Sequence, residues 1–288
     1  MMTLLFQFLI QFPGIAVTGI LVPLIALRWF ILPADRQRTE WLLVASVLIQ
    51  PAAAFAEFFA RNLSRICPRK YDLYGYRFDS FFGQPSFHLG QLVWAHSWSK
   101  ILVSTSYGLL PTAVLATFAA YLWLRPQHEI RSLVKAFVLN LFIAVIFYVL
   151  IPVCGPAFAF PHFPELPQGT ITLHAMAIDA APNGIPSVHM STAILVAWFL
   201  RRWRWGLIVG GLFSALTVIA TLGSGQHYLL DLFCAVPYSI GILLATNQER
   251  DALEVRKGSA GVYRDEELAW QEGLRDEADV DVSNIHGR

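Results

Sequence analysis

Between Asp179 and Glu249 the only acidic residue is Asp231, which lies just inside an apolar run. A lone carboxylate in a membrane span costs a few kcal/mol, so a partner is expected. His227 stands four residues earlier, one helical turn away on the same face. Bonding the acid through one ring nitrogen leaves the other directed outward as a nucleophile or base. The second element is the run Asn183-Gly184-Ile185-Pro186-Ser187-Val188-His189. Pro suits the first turn of a helix, and Ser187 either caps that helix or offers its hydroxyl. Free backbone N–H groups there, those of Ser187 and Val188 among them, make an anion site. His189 and His227 are 38 residues apart, enough for one apolar span out and one back, which returns both to one face. Two imidazoles, an anchored acid and an anion-binding helix start suit phosphoryl transfer. Gln226 and Tyr228 flank His227 and are candidates for contact with substrate, or equally for packing. The plainer alternatives are a structural His–Asp pair, an interfacial His189 and a Ser187 that only caps.

The elements that must carry these residues are apolar. Of 288 residues, 56% are hydrophobic and 14% charged, too little polar surface to cover a soluble core of this size. Residues 247–288 hold 17 of the 41 charged side chains, so a membrane body is expected ahead of a polar tail. A spanning helix needs roughly 20 apolar residues. Candidate spans are 10–32, 41–60, 101–124, 133–152, 187–204, 205–224 and 228–246, and the expected fold is an all-α polytopic membrane bundle of six or seven transmembrane helices. The N-terminal run lacks a basic leader and a cleavage site, so it is expected to stay as a span. The expected organisation is 1–100 for N-terminal spans and an outer basic segment, 101–246 for the catalytic core, and 247–288 for a cytoplasmic tail.

Arg125, Arg131 and Lys135 join the third and fourth spans, and Arg201, Arg202 and Arg204 the fifth and sixth, so both loops are expected to be cytoplasmic. Segments 61–100 and 153–186 then lie on the periplasmic, extracellular or lumenal side. Six prolines between 153 and 186 preclude one continuous helix, and a structured cap over the site is expected. A formal charge of +1 excludes nucleic acid as a partner. Cys67, Cys154 and Cys234 have no metal-ligand spacing; a Cys67–Cys154 disulfide is open if the outer side is oxidising, beside the simpler reading of free thiols. His162 and His174 lack the i, i+3 or i, i+4 spacing of a metal pair, and no metal or cofactor is expected.

Pro186-Ser187-Val188-His189 and His227-Tyr228-Leu229-Leu230-Asp231 resemble the second and third signatures of the type 2 phosphatidic acid phosphatase superfamily. Within it, the chain looks like the inositol phosphorylceramide synthase branch. Phe78-Asp79-Ser80-Phe81-Phe82-Gly83 and the stretch from Tyr148 to Pro156 resemble segments found upstream of those signatures. The resemblance implies that His227 attacks phosphorus to form a phosphohistidine, that Asp231 orients it, and that His189 protonates the leaving alcohol. It also implies that Ser187 and neighbouring N–H groups hold the phosphoryl oxygens, without a metal.

The phosphatase branch carries a Lys-x6-Arg-Pro signature and an Arg six residues before the third-signature His. Here residue 221 is Thr and no Lys or Arg stands near Gly155-Pro156-Ala157. Arg77 and Lys70 of the outer basic segment are the expected substitutes. The expectation is therefore a phosphotransferase acting on a membrane lipid phosphate or phosphodiester. The alternatives are a lipid phosphate phosphatase and, more remotely, a non-enzymatic lipid-phosphate binder or transporter.

Overall fold

The computed structural model describes residues 62–124, 127–169, 171–173 and 175–246, with isolated positions between 23 and 59. The chain divides into two compact units, Met1–Leu243 and Leu244–Arg288, and every candidate site residue belongs to the first. The tail expected from 247 onward and nearly all of the spans expected over 10–32 and 41–60 lie outside the described residues.

A two-residue strand β1 (Arg69–Lys70) leads into helices α1 (Asp72–Ser80), α2 (Pro85–Ala95), α3 (Ser97–Leu124) and α4 (Gln127–Leu150). A single helical turn α5 (Pro156–Ala159) and strand β2 (Met176–Ala177) follow, then α6 (Val188–Leu200) and α7 (Gly206–Gly223). The last described helix, α8, is Leu229–Thr246. Glu129–Leu150 of α4, α7 and α8 are long and apolar enough to cross a membrane. Their outward side chains, such as Leu207, Leu212 and Ile240, are exposed and find an apolar neighbour only in lipid. The chain is thus a helical integral membrane protein.

Helix α6 stops at Leu200, short of the expected 187–204 run, and its 13 residues make it shorter than a full span. Arg201 to Trp205 form a turn instead, since three guanidinium groups in five residues favour water over continued helix in lipid. Pro186 also stands outside the helix, which Ser187 caps and Val188 begins. The segment 61–100, expected as an outer basic stretch, contains α1, α2 and the start of α3. Pro85 opens α2 at a first-turn position where its missing N–H is not needed.

Helix α6 is the hub, lying against α3, α4 and α7, while α2 packs on α7 and α3. At one end Phe118, Tyr121, Phe137, Leu195 and Phe199 form an apolar core. At the other, Leu73, Phe87, Val153, Phe160, Ile185 and Tyr228 form a second. Between them Asn140 is buried. It accepts from Ser191 Oγ at 2.6 Å, donates to Thr192 Oγ1 at 3.0 Å and receives the Tyr238 hydroxyl on its carbonyl at 2.5 Å. These bonds tie α4, α6 and α8 together where an unpaired amide would be costly.

The cap over 153–186 is largely irregular. It is stitched to the preceding segment by β2, which pairs antiparallel with β1 through Arg69 with Ala177 and Lys70 with Met176. All three cysteines are free, so the Cys67–Cys154 disulfide is not formed. Cys154 is buried and donates to the Ala180 carbonyl at 3.3 Å, and burial pushes its thiol up to about 12.

Candidate active site

The turn that carries His227 begins where α7 ends. Gly225 takes φ +70, a left-handed conformation suited to a helix C-terminus, and its carbonyl accepts from Ala157 N–H at 2.8 Å. Gly155 approaches from the other side at φ +110, and a Cβ there would fall 2.2 Å from the Gln226 carbonyl. Only glycine fits this crossing, which joins the segment before the Pro-Ser-Val-His run to the histidine turn.

Helix α8 then starts with its N-terminal donors already taken. Asp231, at the third position, reaches back to accept Tyr228 N–H at 2.9 Å, which is one half of a capping box. The same oxygen, Oδ2, faces His227 Nδ1 at 3.2 Å. Asp231 therefore caps its helix and steadies the imidazole at once, so its structural and functional readings coexist. Its other oxygen, Oδ1, is buried with no partner among the described residues. With Nδ1 engaged by Asp231, Nε2 is the ring nitrogen left for chemistry, and the Gly184 backbone lies within hydrogen-bonding range of the ring.

His189 comes from the first turn of α6. Its ring centroid lies 5.7 Å from that of His227, with the planes at 63°. That separation lets one phosphoryl group touch both rings. His227 is 2% exposed, whereas His189 is half-buried and lines a small, partly open pocket with Ser106, Leu110, Thr217, Ala220 and Thr221. Thr221, standing where the phosphatase branch has Arg, donates its hydroxyl to the Thr217 carbonyl at 2.8 Å. Ser187 is fully buried; its Oγ accepts Met190 N–H at 3.3 Å, and its N–H donates to the Asp231 carbonyl at 3.3 Å. Ser187 thus caps, its N–H is committed to α8, and its O–H proton stays available as a donor. Val188 begins the helix and is half-buried.

Of the flanking candidates, Gln226 is half-buried and Tyr228 is fully buried against Gly75 of α1, where a Cβ would meet the tyrosine ring at 2.6 Å. Tyr228 is therefore a packing residue in this arrangement. Lys70 is buried as well, its ammonium donating to the Cys67 carbonyl and to the Ile178 carbonyl at 3.2 Å. This ties β1 to the cap, and a phosphate would have to displace both carbonyls to recruit it. Arg77 is exposed on α1, its guanidinium 6.0 Å from the Phe81 ring.

Two carboxylates absent from the sequence-level candidates join the site from α1. Asp72 accepts N–H bonds from Cys154 at 3.1 Å and Gly155 at 2.8 Å. Asp79 accepts Leu229 N–H at 2.9 Å on one oxygen and the Ser86 hydroxyl on the other. Burial holds both acids up at about 6, although the N–H donors favour the charged form. The signal open to a sequence reading is slight: two acids seven residues apart share one face of a helix that no apolar period announces. Among the described residues no group of three His, Cys, Asp or Glu side chains gathers as a metal site.

A membrane-embedded helical body with an acid-steadied imidazole facing a second imidazole defines a class of integral-membrane protein rather than a soluble hydrolase. The profile of the PAP2 superfamily matches residues 76–245, more than half of the chain, and the protein belongs to that superfamily. No curated protein and no solved structure matches it. Membership makes it an enzyme of lipid phosphatase or phosphotransferase type.

Proposed function

We propose that the protein transfers a phosphoryl or phospho-head-group between membrane lipids and an acceptor alcohol through a covalent phosphohistidine on His227. The observation that carries this reading is the 5.7 Å approach of the His189 and His227 rings, with Asp231 bonded behind the second. In the first half-reaction the His227 Nε2 lone pair forms a bond to phosphorus and the P–O bond to the leaving alcohol breaks. Protonated His189 gives its proton to that oxygen. In the second, an incoming hydroxyl gives its proton to His189 and bonds phosphorus, the P–N bond breaks, and the nitrogen recovers its electron pair. Asp231 holds the ring orientation and offsets the positive charge that develops on it. The Ser187 hydroxyl and the N–H groups at the start of α6 donate to the phosphoryl oxygens.

Thr221 and the lack of Lys or Arg in the sequence around Gly155 favour a phosphodiester-handling transferase similar to the inositol phosphorylceramide synthase branch over a monoesterase. Arg77 is the group assigned to the remaining phosphate charge. Lys70 is the second such group, once drawn off its two carbonyls. The site is assigned to the periplasmic, extracellular or lumenal side, opposite the loop Arg201 to Arg204. The test is product analysis with a head-group-labelled phospholipid, with and without an acceptor lipid alcohol. Label moving to the acceptor supports the transferase. Release of free phosphate or phospho-head-group alone assigns a hydrolase. No turnover, with binding retained, contradicts both.

A further inference from the structure

Helix α1 presents Asp72, Gly75 and Asp79 along one face, at positions i, i+3 and i+7. The two carboxylates stand about 10 Å apart along the helix, and Tyr228 seats against the glycine between them. Each acid ends on backbone N–H groups of a different strand of the site. Asp72 holds the turn at Cys154 and Gly155, which crosses over Gln226, and Asp79 holds Leu229, two residues after His227. Asp79 is itself fixed by the Ser86 hydroxyl at the start of α2. Both acids are fully buried and neither has a cation partner in an ion pair among the described residues. A buried carboxylate aimed at backbone donors is a costly way to hold a fold, and charge-assisted bonds of this kind are short and directional.

We propose that α1 is a brace for the histidine turn, with Asp79 as a positioning residue for His227 acting through Leu229 N–H. Asp72 serves the facing turn in the same way. The inference rests on the phosphohistidine reading for its kinetic consequence, but the brace itself is independent of it. A displacement of about 1 Å at a reacting atom lowers rate by about 100-fold, and Leu229 N–H is the first donor of the helix that holds Asp231.

The test uses the full chain in detergent with Asp79→Ala, Asp79→Asn and Ser86→Ala. It reads kcat and KM on the lipid substrate, amide exchange at residue 229, Tm, and the tautomer of the His227 ring by nitrogen NMR. Asp79→Ala is expected to lower kcat about 30-fold with KM within about twofold, to speed exchange at residue 229 and to shift the ring's tautomer balance. Asp79→Asn, whose amide oxygen still accepts Leu229 N–H, is expected to restore kcat to within about threefold of the parent. Ser86→Ala should fall between them. Unchanged exchange and tautomer in Asp79→Ala would overturn the brace, whatever the activity. A kcat loss in Asp79→Asn as large as in the alanine variant, at parental Tm, would overturn the assignment to the Leu229 bond. If Asp79→Ala does not fold, the asparagine variant and Ser86→Ala carry the test. A parent enzyme that forms no phosphohistidine removes the reading of function, while exchange and tautomer still judge the brace.

Discussion

Two acid–base contacts mark opposite ends of the helix bundle. At one, Arg202 meets Glu129 at the start of α4, with the guanidinium side chain 34% exposed. At the other, His227 meets Asp231 with 3% and 0% exposure. Each acid leaves one buried oxygen without a partner among the described residues, Glu129 Oε2 and Asp231 Oδ1. The difference lies in the base. A guanidinium is charged at every working pH and sits half in water, which suits a boundary marker. An imidazole exchanges its proton and sits in a dry site next to a second imidazole, which suits chemistry. A base set against an acid therefore closes the bundle at one end and prepares a nucleophile at the other.

The comparison breaks first at His227. His227→Ala is expected to lower turnover by at least about 1,000-fold, with lipid binding retained, in a direct assay of product. Asp231→Asn comes next, with kcat reduced by about 100-fold or more, because an amide neither fixes the ring tautomer nor offsets its charge. If Asp231 mattered only as a helix cap, the asparagine, itself a good capping group, would leave kcat near the parental value. At the other end, Glu129→Gln should leave kcat within about twofold and cost about 0–1 kcal/mol of stability, since the partner is partly in water. A large kcat loss there would erase the distinction between the two ends.

A further effect, read in stability rather than in turnover, concerns pH. Asp72 and Asp79 titrate at about 6 in the folded chain against 3.8 for a free side chain. Between those values the folded protein holds protons that the unfolded chain has lost. The stability each contributes is full below about pH 4 and is lost as pH rises through 6. Melting curves across pH 4 to 7 should show this decline, and Asp79→Asn should shallow it, leaving the share of Asp72.

The long apolar runs made α7 and α8 legible to within about a residue and α4 to within about six, because lipid demands length and hydropathy of each. The juxtaposition of His189 and His227 was legible from spacing alone, since an out-and-back hairpin leaves little choice. Helices α1 and α2 were not. Their sequence mixes Asp, Gly, Pro, Ser and aromatics without a clean apolar period, and their order comes from contacts with α7, Tyr228 and the cap. Asp72 and Asp79 escaped for the same reason: their partners are backbone N–H groups more than 80 residues away, which no local spacing reveals. Lys70 was legible as a charge, but its use as a tie between β1 and the cap depends on the Ile178 carbonyl coming close, a tertiary event.

The central claim is most directly tested by quenching a single turnover of labelled substrate and mapping the label by peptide mass spectrometry. The account predicts an acid-labile, base-stable phosphoryl adduct on His227, absent from His227→Ala and still formed in Glu129→Gln. Label on another side chain, or full turnover with no adduct under conditions that trap one, would contradict it.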